Sequence, residues 1–205
     1  DGAQLAVDQC NAEGGVQGYK VVLVVEDDAN SNDNAVNVTS RLSADQSIIC
    51  QIGPIRSAGV AAIEKTLSGN KFPALVGGTS VKIWDQGGGY IFRYRACDEI
   101  VSQAAIDYVC RDKGFKNVAL LYNNDDYGNG AKMVMEKYIA EKYPEVKFEV
   151  KEGHNTGDKD MTASLLAVKN AGCDVMIGWT HAPECAVMTR QCRELGMASI
   201  FFLGG

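Results

Sequence analysis

The sequence contains no CxxC pair, no apolar run approaching the roughly 18 residues that cross a bilayer, and no segment in which Lys and Arg cluster. Each absence removes a class of function. Without paired cysteine spacings, and with no His placed to complete a set with Cys185 and Cys192, no metal site is expected. The formal charge of -6, with its basic residues scattered, offers nucleic acid no electrostatic footprint. No cofactor is expected: Walker A requires a GK[ST] ending that VGGTSVKIW lacks, and DDYGNG lacks the full GxGxxG series. GxSxG is also missing, so a hydrolase would have to pair His181 with Thr180 or Ser80, and nothing else in the sequence supports one.

What remains is a chain of 205 residues with 46% hydrophobic content, enough to bury a core. Seven cysteines, at 10, 50, 97, 110, 173, 185 and 192, form an odd set, so at least one is free or pairs between chains. The opening DGAQLAVDQCNAEGG reads as helix from its second or third residue, with Ala3, Ala6, Val7 and Cys10 on one stripe. Natural N-termini seldom start this way.

Short β-branched runs alternate with helical patterns, the signature of parallel sheets covered by helices on both faces. Strands are predicted at 21–25, 47–52, 74–76, 118–121, 148–150, 175–178 and 200–203, and helices near 33–44, 57–68, 98–113, 128–142, 160–171 and 183–195. The irregular stretch GGTSVKIWDQGGGYIFRYRACDE interrupts the series, with 90–94 as a short extended piece. A fresh βαβα series follows it. The chain is therefore expected to leave one α/β lobe (1–96) and enter a second (97–205) through a short hinge.

In open α/β sheets ligands bind beyond the carboxyl ends of the strands, where helices aim their first amides. The junction GPIRSAGVAA puts Arg56 and Ser57 at a helix start, where Ser57 is either an N-cap or a carboxylate site. VGGTS offers Gly78 for close approach and Ser80 for its hydroxyl. LLYNNDDYGNGAKM offers Tyr127, with at least one of Asp125 and Asp126 as a helix cap, and GWTHAPECAVM offers Trp179 and His181. Together these supply hydroxyls, aromatics and glycines from two lobes, the equipment for holding a small polar molecule in a cleft.

The pieces GAQLAVDQCNAEGGVQGYKVVLVVEDDAN, QIGPIRSAGVAA, FPALVGGTS, FRYRACDE, VALLYNNDDYGNGAKM and GDKDMTASLLAVKNAGCDVMIGW resemble, in order and spacing, the type I periplasmic solute-binding proteins of the branched-chain amino acid class. The resemblance covers the whole chain. It implies an α/β fold of two Rossmann-like, doubly wound lobes with parallel sheets that close on a ligand and deliver it to an ABC transporter permease. By this resemblance Ser57 meets the ligand carboxylate, Gly78 and Ser80 offer a carbonyl and a hydroxyl, and Tyr127 faces the ligand from the second lobe. His181 stands where the family often has an aromatic residue. A sensor of the same fold is the alternative.

The resemblance also implies a location in the periplasm or, by lipid anchoring, on the outer face of the cytoplasmic membrane. Seven cysteines fit that setting poorly unless they are buried or the source is anaerobic. The family's chains begin with a further strand and continue through segments that return to both lobes, so this chain is expected to be incomplete at both ends. The family's ammonium-binding acidic residue would lie just after 200–203, beyond the chain end. The strands at 21–25 and 47–52 would then flank a gap, with no ladder joining them.

Overall fold

The computed structural model describes residues 1–83 and 88–197, and the backbone of 201–204. Its first half comprises α1 (Gly2–Ala12), α2 (Asn32–Ala44), β1 (Gln51–Ile52), α3 (Ser57–Asn70), β2 (Ala74–Val76) and β3 (Ile91–Arg93). The three strands form a parallel sheet in the order β1-β2-β3. The second half comprises α4 (Asp98–Asp107), β4 (Asn117–Asn123), α5 (Asp126–Lys142), β5 (Lys147–His154), α6 (Thr162–Asn170), β6 (Val175–Trp179), α7 (Ala182–Glu194) and β7 (Phe201–Gly204). Here the parallel order is β5-β4-β6-β7.

Strand parity distributes the second core. Val118, Leu120 and Tyr122 of β4 and Val175, Ile177 and Trp179 of β6 face α4 and α5, packing on Ile106, Met135 and Ile139. The alternate residues Ala119, Leu121 and Met176 face α6 and α7, packing on Leu165, Val168 and Met188. A parallel strand covered on both faces has no polar side to alternate with, so all five residues of β6 are buried.

The first sheet is covered on one face only. Val60, Ile63 and Leu67 of α3 pack with Ala74, Val76 and Ala35. On the other parity Ile52, Leu75 and Phe92 are 58%, 41% and 52% exposed.

Three expectations are corrected. Residues 21–25 form no strand: Asn11 brackets Val21 through both its amide atoms, but Val22, Val24 and Val25 are exposed. A strand needs a neighbour for its backbone groups, and among the described residues none lies alongside. Among the described residues no ladder joins this segment to β1, so 21–25 is not one of the two strands expected to flank a gap. Secondly, the strand predicted at 47–52 shrinks to Gln51–Ile52, which pairs with β2 alone. Thirdly, the helix predicted to 113 ends as an α-helix at Asp107 and continues as a π-helical turn over Tyr108–Asp112. The helix at the start is present, but it buries none of its residues. Ile200, in the last predicted strand, lies outside the described residues.

Candidate functional site

Beyond the carboxyl ends of β1 and β2, Ser57 opens α3 and is 3% exposed. Its Oγ accepts from the amides of Thr79 and Ser80, both at 3.2 Å. A hydroxyl has two lone pairs and one proton, so with both pairs engaged Ser57 retains its proton for an acceptor. Ser57 therefore caps the neighbouring 79–80 turn rather than its own helix.

The glycines before that turn are required by packing. A Cβ on Gly78 would stand 2.8 Å from Ile83 Cδ1 and 3.1 Å from Ser57 Cα, and one on Gly77 would stand 2.8 Å from the Tyr94 hydroxyl. The turn is pinned from outside by Arg93, whose Nη2 donates to Ser80 O at 2.8 Å. Arg56 is engaged elsewhere, its Nη1 donating to the carbonyl and side-chain oxygens of Asn30 at 2.6 and 2.8 Å.

In the second lobe Asp125 is the N-cap of α5, its Oδ1 accepting from the amides of Tyr127 and Gly128 at 3.1 Å each. Its Oδ2 meets His181 Nε2 at 2.8 Å. Burial pushes the Asp125 carboxyl upward, but the bonds from His181 and the two amides outweigh it and hold the group below its usual range. Facing a carboxylate, Nε2 of His181 carries a proton.

Tyr127 lies between the rings of His181, stacked at 5.3 Å and 21°, and Trp179, tilted at 5.8 Å. Burial first, and then the charge of Asp98, raise its phenol well above the ordinary value. Trp179, 2% exposed, lies within the core and supports Tyr127 from beneath, as the parity of β6 dictates.

Behind His181 runs a buried polar chain. Asn123 Oδ1 accepts from the amide of His181 at 3.1 Å and from the hydroxyl of Thr180 at 2.8 Å, while its Nδ2 donates to Thr156. An amide N–H can only donate, which fixes the orientation of the Asn123 side chain. Thr180 has given its proton to Asn123, so the 2.7 Å contact with His154 makes His154 Nε2 the donor. Burial lowers the pKa of His154 and favours its neutral form.

The two halves meet. A Cβ on Gly130 of α5 would stand 3.2 Å from Ser80 Oγ, and Lys82 Nζ lies 3.5 Å from Asp126 Oδ1. The structure thus brings Ser57, Gly78 and Ser80 together on one side of a seam and Tyr127 and His181 together on the other, with Trp179 behind them. Arg56 stands apart on the Asn30 turn.

One residue at the seam was missed from sequence. Asp98, the first residue of α4, is 1% exposed, and its amide donates to Thr79 O at 2.9 Å. Burial pushes its carboxyl up to about 6, against the opposing pull of the Thr79 hydroxyl and of Arg93 and Arg95. Nothing in FRYRACDE marks it out; only burial separates it from Glu99 beside it.

An open cavity of about 530 Å³ lies along α7, lined by Thr180, Cys185, Thr189, Arg190 and Arg193 among others. It shares Thr180 with the polar chain but contains none of Ser57, Ser80 and Tyr127. All seven cysteines are unpaired; Cys110 and Cys173 are buried, and burial raises the Cys110 thiol to about 11.

Comparison with known proteins agrees with this architecture. The family described as "Periplasmic binding protein" matches residues 1–205. An amino acid binding protein of Pseudomonas aeruginosa is 29% identical over 202 residues, covering 98% of this chain and 53% of that protein. The Leu/Ile/Val-binding protein BraC3 of Rhizobium johnstonii is 28% identical over 207 residues, covering 100% of this chain and 55% of the relative. Among solved structures, the branched-chain amino acid transporter substrate-binding protein LivJ of Streptococcus pneumoniae, in complex with isoleucine, superposes with a TM-score of 0.87 at 27% identity, covering 100% of this chain and 57% of that one. This chain therefore spans about half the length of the relatives it matches. With these matches and two parallel-sheet lobes meeting at a seam, the chain belongs to the periplasmic binding protein family, and it is similar to members of the branched-chain amino acid class.

Proposed function

We propose that this chain is part of an extracytoplasmic solute-binding protein that captures a small polar ligand, an amino acid or related carboxylate, between its lobes and delivers it to an ABC transporter permease. The lobes divide near residue 97. One observation carries the reading: the Ser57 hydroxyl, buried and with both lone pairs engaged by amides, keeps its proton for an anionic acceptor at the seam. A carboxylate there would be met from the other lobe by Tyr127 and His181, with Gly78 and Ser80 lining the near side.

Closure excludes water, which strengthens each charge-assisted hydrogen bond and makes binding selective for ligands that satisfy both lobes. The stacked imidazole favours a ligand side chain with polar or aromatic character over a plain aliphatic one. Arg56 would act through the Asn30 turn at the site's edge.

Calorimetry on the full-length protein with the twenty L-amino acids tests the reading. Ser57→Ala should weaken the tightest of them at least several-fold. Unchanged affinity removes Ser57 from the site, and no binding by any amino acid removes the ligand class.

A further inference from the structure

We infer that Arg95 selects the ligand: its guanidinium, carried to the seam on the crossover between the lobes, receives a second anionic group, so the solute is an acid whose side chain ends in a carboxylate. This rests on the seam being the ligand site.

The crossover is short and fastened at both ends. Tyr94 donates its amide to Val76 O at 3.3 Å, and Asp98 donates its amide to Thr79 O at 2.9 Å. The Tyr94 hydroxyl also stands close over Gly77, 2.8 Å from where a Cβ would be. Residues 95–97 therefore arch past the carboxyl end of β2, the end at which Ser57 and Ser80 meet. Arg95 is held beside the site by bonds that leave its own side chain free.

The neighbouring arginines are spent. Arg56 donates to Asn30, and Arg93 gives its terminal nitrogens to the carbonyls of Thr79 and Ser80. Arg95 is exposed and makes no hydrogen bond or ion pair among the described residues. Its charge nonetheless reaches both lobes, acting on Asp98 and on the phenol of Tyr127. A guanidinium that faced only solvent would not bear on Tyr127, which is half-buried in the second lobe between His181 and Trp179.

The balance of charge selects an anion. Arg93, Arg95 and Asp125 are the charges that act on Asp98, and Asp125 is already engaged by His181 and by the amides of Tyr127 and Gly128. Two guanidiniums then stand against one buried carboxylate, with the nitrogens of Arg95 still available. A guanidinium pairs a carboxylate through two parallel N–H bonds, whereas an amide of the same shape offers one acceptor and no charge. An arginine here therefore separates glutamate from glutamine and aspartate from asparagine, which differ by that group alone.

The test is calorimetry on the full-length protein with L-glutamate, L-glutamine, L-aspartate and L-asparagine. In whichever pair binds, the acid should bind at least about tenfold more tightly than its amide. Arg95→Gln should abolish that ratio by weakening the acid while the amide changes less than about threefold. A smaller ratio in the unaltered protein, a ratio that survives Arg95→Gln, or binding confined to other members of the twenty L-amino acids overturns the role of Arg95 and leaves the amino-acid reading intact. If none of the twenty binds, both fall. Should Arg95→Gln not fold, the ratio in the unaltered protein is decisive by itself.

Discussion

His181 Nε2 lies 2.8 Å from Asp125 Oδ2, while Asp125 Oδ1 holds the amides of Tyr127 and Gly128. One carboxylate therefore sets both the start of α5 and the orientation of the ring stacked on Tyr127. Asp125→Ala should lose the cap and the tether together, costing about 1–2 kcal/mol by urea denaturation and weakening ligand binding. Asp125→Asn should retain more of the stability, since an amide oxygen still caps.

The same carboxyl supplies an acid-range prediction. Its folded pKa is depressed, so its contribution to stability is present above the ordinary carboxylate value and is lost as pH falls through the folded pKa. Unfolding curves recorded from pH 5 down to pH 2 should show the advantage of the unaltered protein over Asp125→Asn shrinking as acid is added.

Gly128 is where two elements touch without room for a side chain, a Cβ there standing 2.0 Å from the Asn123 carbonyl oxygen. Backbone cannot rotate away as a side chain would, so Gly128→Ala should destabilise by about 2 kcal/mol or more. Gly69, near the end of α3, has nothing within 4 Å of its would-be Cβ. Gly69→Ala should be neutral or stabilising by up to about 1 kcal/mol, a paired control in the same denaturation assay.

Asn123 satisfies three partners with one side chain, of which Thr180 is buried and His181 half-buried. Asn123→Ala leaves the Thr180 hydroxyl and the His181 amide without their acceptor, and the expected loss is about 2–4 kcal/mol. Asn123→Asp keeps that acceptor but sets a charge in a fully buried site, so it should also destabilise, and more at pH 7 than at pH 4. A loss below about 1 kcal/mol for Asn123→Ala, by urea unfolding, would remove Asn123 as the organiser of this network.

Period and turn chemistry made most elements legible in advance. The β4 and β6 runs, the α3 and α5 starts and the Asp125 cap are local patterns that the fold reinforces. Residues 21–25 misled because β-branched content reports fitness for a sheet, whereas a strand also needs a neighbour. Trp179 stood in the right junction, but its depth follows from the alternation within β6, which puts it in line with Val175 and Ile177. Asp98 was not legible at all: its burial is set by the fold, and the groups that act on it, Thr79 and Tyr127, are remote in sequence.

Asp98 also gives the protein a pH dependence of the opposite sense to that of Asp125. Its folded pKa, about 6, lies above the ordinary carboxylate value of 3.8, so between these values the folded state binds more protons than the unfolded chain. Stability therefore falls as pH rises from about 4 to 6, and the loss persists above. With each pKa unit worth about 1.4 kcal/mol, the penalty at neutral pH is on the order of 2–3 kcal/mol in the ligand-free protein. Asp98→Asn carries no charge at any pH, so it should gain on the unaltered protein across that window and be the more stable of the two at pH 7.5. The two melting temperatures, followed from pH 4 to pH 8 without ligand, should converge at the acid end. A constant offset would mean that burial does not penalise this carboxylate and that its neighbours already compensate it.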